Sequence, residues 1–312
     1  MKRRYLVTGG AGFIGSHICD ALVERGHEVI ILDNFVSGHP DNLNSAASVS
    51  RVITADVRDI SRYAADIGKV DAVLHLAALI SSHDSLNNYE EYMSVNIGGL
   101  MNVIEYMNAS ETGRIIFASS STVYGDQTLP LLDETTPPDP LSVYALTKLS
   151  GEHLLSIYSA LHGFTHVSLR LFNVYGPRQV VDHPYANVAC KFCYAAANEL
   201  SINRYGDGRQ TRDFVFIDDV VRSFLAVPGS SKNIVYNVGS GEEHSINSLI
   251  KTLENMTGKN IPVRDLDPWP NDIRRICADV RRLEDEFGIR PRVTLREGLA
   301  RTIEYYVSSA SE

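Results

Sequence analysis

Four cysteines in 312 residues (Cys19, Cys190, Cys193 and Cys277) are too few and too scattered for a disulfide framework, so stability must come from an apolar core. Positive charge is also scarce. The 29 Lys and Arg stand against 38 Asp and Glu, a net charge of −9, which argues against nucleic acid or an anionic membrane surface as a partner. Long apolar runs are missing too. Only Tyr5-Leu6-Val7-Thr8 precedes the first glycines, too little for the apolar region of a signal peptide, and no later segment reaches membrane-span length. A cytoplasmic protein is the resulting expectation. Cys190-Lys191-Phe192-Cys193 has CxxC spacing, but no second Cys pair or Cys/His pair accompanies it. It reads as two small buried side chains on a helix, and no metal site is expected.

What is present begins with those four residues, a short buried strand that runs into Gly9-Gly10-Ala11-Gly12-Phe13-Ile14-Gly15. A helical pattern follows (Ile14, Ile18, Leu22), stops at Gly26, and gives way to a second strand over residues 28–33 that ends in Asp33. Strand, glycine turn, helix, strand and acid are together the context that a dinucleotide fingerprint needs. The glycines let the backbone approach a pyrophosphate at the helix N-terminus. Asp33 suits the hydroxyls of an adenosine ribose and repels a 2′-phosphate, which favours NAD over NADP.

The alternation continues. Residues 51–55, 72–76, 114–118 and 165–171 read as strands; 87–107 and 144–162 read as helices. This pattern predicts an α/β fold with a doubly wound parallel sheet, whose ligands bind beyond the strand C-terminal ends. Asp33, Asp56, Ala77-Ala78 and Ser119-Ser120 all fall at such ends. After residue 171 the alternation weakens. Residues 172–184 read as a loop, 185–199 as a helix, 214–217 and 233–238 as strands, and 294–306 as an amphipathic helix. The expected division is a dinucleotide domain over 1–171, with a returning segment at about 213–240, and a smaller mixed α/β domain over 172–312.

Chemistry is concentrated in Ser119-Ser120-Ser121-Thr122-Val123-Tyr124-Gly125 and Tyr144-Ala145-Leu146-Thr147-Lys148. On a helix the i, i+4 spacing puts the Tyr144 phenol and the Lys148 ammonium on one face. An adjacent ammonium favours phenolate and is expected to bring the phenol well below its usual value of about 10. A hydroxyl, a tunable phenol and a lysine suit interconversion of alcohol and ketone beside a hydride carrier.

These motifs resemble an extended short-chain dehydrogenase/reductase, in particular nucleotide-sugar epimerases similar to UDP-glucose and UDP-N-acetylglucosamine 4-epimerases. The resemblance runs from TGGAGFIGSH at Thr8 through Asp33-Asn34, Asp56-Val57, His75-Leu76-Ala77-Ala78, SSSTVYG, YALTK and RLFNVYGPRQ at Arg170 to GDGRQTRDFVFIDDV at Gly206. It implies a Rossmann domain, NAD as cofactor, a UDP-sugar substrate and a homodimer formed through the 87–107 and 144–162 helices. It implies that Tyr144 is the acid and base at the sugar C4 hydroxyl, that Ser120 hydrogen-bonds the reacting oxygen, and that Lys148 holds the nicotinamide ribose. Cofactor contacts are implied for Gly9, Gly12, Phe13, Ile14, Gly15, Asp33, Asn34, Asp56, Val57, Leu76, Ala77, Ala78, Asn96, Ala118, Tyr144, Lys148 and Phe172. Substrate contacts are implied for Ser120, Tyr144, Asn173, Asn187, Val188, Tyr205, Arg212 and Asp272.

The sequence departs from the family at Trp269-Pro270-Asn271-Asp272, where relatives usually carry Arg-Pro-Gly-Asp with the Arg on the diphosphate. Arg274 or Arg275 stands near enough in sequence to replace that charge. The position that gates N-acetyl groups falls on Ile276, which is intermediate in size. Related dehydratases carry an acidic pair after the catalytic Thr; here Ser121 and Thr122 occupy those places and do no such proton work at neutral pH. NAD-dependent 4-epimerisation through a transient ketone is therefore the expected reaction. Epimerisation or decarboxylation of UDP-glucuronate is the alternative, as is another nucleotide-sugar reaction of the family.

Overall fold

The computed structural model describes residues 2–43, 50–181, 186–230, 232–269 and 272–309. The apolar run ahead of the glycines is a strand, β1 (Arg4–Thr8), buried on both faces as a central parallel strand must be. There follow α1 (Phe13–Glu24), β2 (Glu28–Asp33), β3 (Arg51–Thr54), α2 (Ala64–Ile67) and β4 (Ala72–His75). Helix α3 (Tyr89–Tyr92), a widened π turn (Met93–Gly98) and α4 (Gly99–Ser110) run on without a break. Next come β5 (Arg114–Ser120), α5 (Val143–His162), β6 (Thr165–Leu171) and β7 (Asn173–Tyr175). The remainder is α6 (Val188–Ala197), β8 (Ile202–Tyr205), β9 (Thr211–Phe216), α7 (Ile217–Ala226), β10 (Ile234–Val238), β11 (Glu243–Ser245), α8 (Ile246–Thr257), β12 (Val263–Leu266), α9 (Arg281–Phe287) and α10 (Leu295–Ser309).

Two compact units result. The first holds Met1–Val123, Pro140–Arg170 and Val221–Tyr236. Its seven-stranded sheet has the order β10-β6-β5-β4-β1-β2-β3, and the pairs β1·β2, β1·β4, β2·β3 and β4·β5 all run parallel. The order reverses between β1 and β4, so the crevice past their C-terminal ends is the topological switch point where doubly wound folds bind ligands. One side of the sheet packs Leu6, Ile30, Val73 and Ile115 against Leu100, Val103 and Ile104 of α4. The second unit holds Tyr124–Asp139, Leu171–Val220 and Asn237–Glu312. It contains a three-stranded sheet (β11-β9-β7) and a two-stranded parallel pair (β12-β8).

The α/β doubly wound architecture expected from the alternation is present. Details differ for physical reasons. The helix expected over 87–107 begins at Tyr89 and contains the π turn, which hydrophobic periodicity does not reveal. The 172–184 loop contains strand β7, whose three residues pair with Phe214–Phe216 of β9. The 214–217 strand begins earlier, at Thr211, and Ile217 opens α7 instead. The 185–199 helix begins at Val188; Asp182, His183, Pro184 and Tyr185 lie outside the described residues. No described helix is long and apolar enough to cross a membrane.

Candidate active site

In the first unit, Gly9 leaves β1 with φ +71°, and a Cβ there would stand 2.7 Å from the backbone nitrogen of Ala77. The turn after β1 thus lies directly on the turn after β4. A Cβ on Gly15 would fall 2.1 Å from the Gly9 carbonyl oxygen, so only glycine lets α1 start this close to the turn. Gly12 is the N-cap, yet no side chain caps α1 and its first turn carries no acid. Its leading amides are left to an external anion. Phe13 and Ile14 are half-buried beside them. Asp33, buried at the end of β2, accepts hydrogen bonds from the Ala11 (2.8 Å) and Phe35 (2.8 Å) backbone nitrogens. The acid therefore braces the glycine turn and keeps carboxylate lone pairs for a hydroxyl ligand. This cradle fits a dinucleotide.

The neighbouring strand ends are arranged by their own bonds. Asp56 caps the short helix that begins at Val57 and is held below the usual carboxylate range, chiefly by the Arg58 guanidinium bonded to both its oxygens. The exposed Asn34 donates to it at 3.2 Å. Leu76, Ala77 and Ala78 follow β4 in half-buried positions, with the Leu76 and Ala77 nitrogens bonded to Thr8. Asn96 sits in the π turn. Its amide takes the Leu79 N–H at 2.8 Å and donates to the Leu79 carbonyl and to Thr147 on α5, each at 3.0 Å. It clamps the loop after β4 to the helix that carries Tyr144.

The end of β5 and the first turns of α5 bring Ser120, Tyr144 and Lys148 together. Ser142 caps α5 by accepting from the Ala145 nitrogen, which fixes where the helix starts. The Tyr144 phenol, almost buried, lies within the influence of the Ser120 hydroxyl, which accepts from the Thr122 hydroxyl at 2.9 Å. Lys148 donates to the Ala118 carbonyl at 2.8 Å, with its nitrogen 5.0 Å from the Phe117 ring centre and 5.9 Å from that of Tyr144. One helix face does carry both groups, as the spacing implies.

The expected acidification of Tyr144 is corrected by its burial. Loss of hydration raises the phenol above its usual value, and the Ser120 hydrogen bond opposes this only in part. Burial acts on Lys148 as well, taking it from 10.5 to about 7. In the chain by itself the pair is thus held near neutrality. His75, fully buried, is pulled down to about 3 by desolvation and by the Lys148 charge, so it stays a neutral ring bonded to Thr8 at 2.7 Å and stacked on Phe117.

In the second unit, Asn173 opens β7 opposite Phe214, and Phe172 is buried against Tyr124. The Asn187 side chain caps α6 through the Ala189 nitrogen and donates to the Val174 carbonyl, with Val188 as the first helical residue. Arg212 is buried. Its guanidinium binds Asp272 at 2.6 Å and the carbonyls of Thr211 and Ile273, and desolvation lowers its pKa. Tyr205 ends β8 with its ring 4.7 Å from that of Trp269, whose side is 42% exposed. Pro270 and Asn271 lie outside the described residues. Both arginines named as substitutes for a diphosphate cation are paired already, Arg274 with Asp207 and Arg275 with Glu243. Ile276 is buried. Cys190 and Cys193 are buried thiols, the former pushed up to about 12 by desolvation, as the small-side-chain reading of the CxxC expects.

A family model described as the NAD dependent epimerase/dehydratase family matches residues 5–239. The chain belongs to this family. A similar relative is a putative UDP-glucose 4-epimerase of Methanocaldococcus jannaschii, 36% identical over 302 residues, covering 96% of this chain and 97% of that one. Among solved structures, the UDP-N-acetylglucosamine 4-epimerase of Methanobrevibacter ruminantium, in complex with UDP-N-acetylmuramic acid, superposes with a TM-score of 0.94 at 36% identity, covering 99% of this chain and all of that one. The UDP-glucose 4-epimerase of Thermus thermophilus, in complex with NAD, gives 0.91 at 34% identity over 97% of this chain and 98% of the other.

Several residues beside the Ser120–Tyr144–Lys148 cluster were given no role by the sequence, although Ser119 and Arg170 lie inside its motifs. Phe117, Ser119, Gly151, Glu152 and Arg170 all pack at the β5–α5 seam. Their signal lay in charged residues inside apolar runs, Arg170 within the β6 stretch and Glu152 one helical turn past Lys148.

Proposed function

We propose that this protein is an NAD-dependent 4-epimerase of a UDP-sugar, either the glucose/galactose pair or its N-acetylated counterpart. The observation that carries the reading is the Ser120–Tyr144–Lys148 cluster on the same unit as the uncapped glycine turn and Asp33. Bound NAD would supply the reversible two-electron oxidation of the sugar C4 carbon. Gly9, Gly12 and Gly15 with the first amides of α1 would hold its pyrophosphate, and Asp33 its adenosine ribose. Tyr144 removes the proton from the C4 hydroxyl and returns it after the ketone presents its other face. Ser120 donates to the reacting oxygen while its own lone pairs take the Thr122 hydroxyl. Lys148, once charged, steadies the phenolate.

Elimination of water is disfavoured because the residues after Ser120 are Ser121, buried, and Thr122, whose hydroxyl is engaged with Ser120. Asn173, Asn187, Val188, Tyr205, Arg212 and Asp272 are assigned to the nucleotide diphosphate side, Phe172 to the cofactor. The aromatic pair of Tyr205 and Trp269 suits a nucleobase. A cytoplasmic homodimer completes the reading. Leu146, Ile157 and Leu161, exposed at 46, 61 and 70% along α5, support pairing of that helix with its copy, which light scattering tests. The decisive assay incubates the purified protein with UDP-glucose, UDP-N-acetylglucosamine and UDP-glucuronate in turn and identifies the products. Turnover of none of them would sink the epimerase reading.

A further inference from the structure

Helix α5 presents Tyr144, Lys148 and Glu152 at i, i+4 and i+8, a single stripe along one face. The last residues of β5 meet that stripe rung by rung. Ser120 faces Tyr144, the Ala118 carbonyl receives Lys148 at 2.8 Å, and the Ser119 hydroxyl donates to Glu152 at 2.5 Å. Two rungs carry the proposed chemistry. The third does not, yet it is the most heavily braced. Arg170 of β6 donates to both Glu152 oxygens, at 2.9 and 2.7 Å, and the two side chains are only 5 and 6% exposed. Beside them Gly151 admits the Phe117 ring, which a Cβ would strike at 2.7 Å, and that ring is the one beneath the Lys148 nitrogen.

We propose that Glu152, held by Arg170, is a positioning residue that acts through the Ser119 hydroxyl to fix the end of β5 against α5, so that Ser120 and Lys148 stand at working distance from Tyr144. This role rests on the chemistry proposed for Tyr144. Stability alone is a poor account of the network, because an apolar pair of similar volume usually serves a core at least as well as a buried ion pair. A buried carboxylate with directional partners instead restricts the seam to one register. The bidentate Arg170 also neutralises Glu152, which leaves geometry rather than charge as its effect on the neighbouring lysine.

The test compares Ser119→Ala, Ser119→Thr and the paired exchange Glu152→Leu with Arg170→Met in the full-length, NAD-loaded enzyme. Ser159→Ala is the control, since Ser159 lies buried on the same helix and bonds the Phe164 carbonyl, well away from Tyr144. Ser119→Ala is expected to lower kcat roughly tenfold through slight misplacement of the reacting groups, with KM and bound NAD unchanged. Ser119→Thr, which keeps the hydroxyl, restores kcat. The apolar pair folds and shows the same low kcat. Wild-type kcat in both Ser119→Ala and the apolar pair, with Tyr144→Phe inactive, would overturn the positioning role. An equal loss in Ser159→Ala would overturn it too, marking a general response to a missing buried bond. Full activity in Tyr144→Phe would instead remove the underlying reading.

Discussion

Lys148 is held where its charge is unwelcome, and replacing it should therefore stabilise the protein while abolishing its chemistry. Burial takes the group from 10.5 to about 7, and its hydrogen-bond partner among the described residues is the Ala118 carbonyl. At about 1.4 kcal/mol per pH unit, the charged form at pH 6 costs the folded state about 5 kcal/mol relative to the unfolded chain. Lys148→Met removes that penalty and keeps the aliphatic stem, but strands the carbonyl at about 1–3 kcal/mol. The NAD-free variant should then be more stable than wild type by about 2–4 kcal/mol at pH 6. The sign with pH follows from linkage. A lysine whose folded value lies below its unfolded value gives stability that rises with pH across the window from about 7 to 10.5. Wild type thus recovers about 3 kcal/mol between pH 6 and pH 9, and the advantage of Met shrinks by that amount. Urea unfolding at the two pH values measures both numbers. A difference between the proteins that does not change with pH would refute the reasoning.

Tyr144→Phe keeps the ring but removes the phenol, so kcat should fall by at least about a hundredfold while bound NAD persists. Its unfolding free energy should move by no more than about 1 kcal/mol, because Ser120 retains its Thr122 bonds. Gly15→Ala places a methyl 2.1 Å from the Gly9 oxygen, and the purified variant should release no NAD on denaturation, as chromatography of the supernatant would show. Trp269→Ala removes the ring beside Tyr205 and should raise KM for the UDP-sugar roughly three- to tenfold, with kcat unchanged. A fall in kcat alone would contradict the assignment of Trp269 to the nucleotide.

The sheet was legible because parallel strands buried on both faces must be written as short apolar runs, and β1, β2, β4 and β5 are. Acids and glycines at their ends were legible for the same reason, since each run stops where the crevice begins. The spacing of Tyr144 and Lys148 gave their shared face, but not their protonation. That depends on how much water the folded chain removes, which no local pattern records. The second unit was harder to read. Strand β7 is three residues long and exists through its pairing with β9, a tertiary gain that local propensity does not contain. The contact of Tyr205 with Trp269 joins residues far apart in sequence, and the π turn around Asn96 leaves the apolar pattern almost unaltered.

Buried charge alone does not distinguish structure from chemistry here; the degree to which each charge is satisfied does. Asp213 has no exposed surface and receives four donors, the Ser240 nitrogen and hydroxyl and the Gly241 and Ala278 nitrogens, at 2.6 to 3.0 Å. Glu152 receives three, from Ser119 and twice from Arg170. Groups so fully bonded hold segments in register. Lys148, by contrast, has three N–H bonds to give and one carbonyl among the described residues to take them, and the His75 Nε2 meets no hydrogen-bond partner among those residues. An under-bonded cation buried beside a phenol is a poor way to stabilise a fold, since each missing bond adds to the desolvation cost. It is a good way to keep a lysine able to lose or regain its proton near pH 7, and it sits at the strand end where the glycine turn and Asp33 would bring the cofactor.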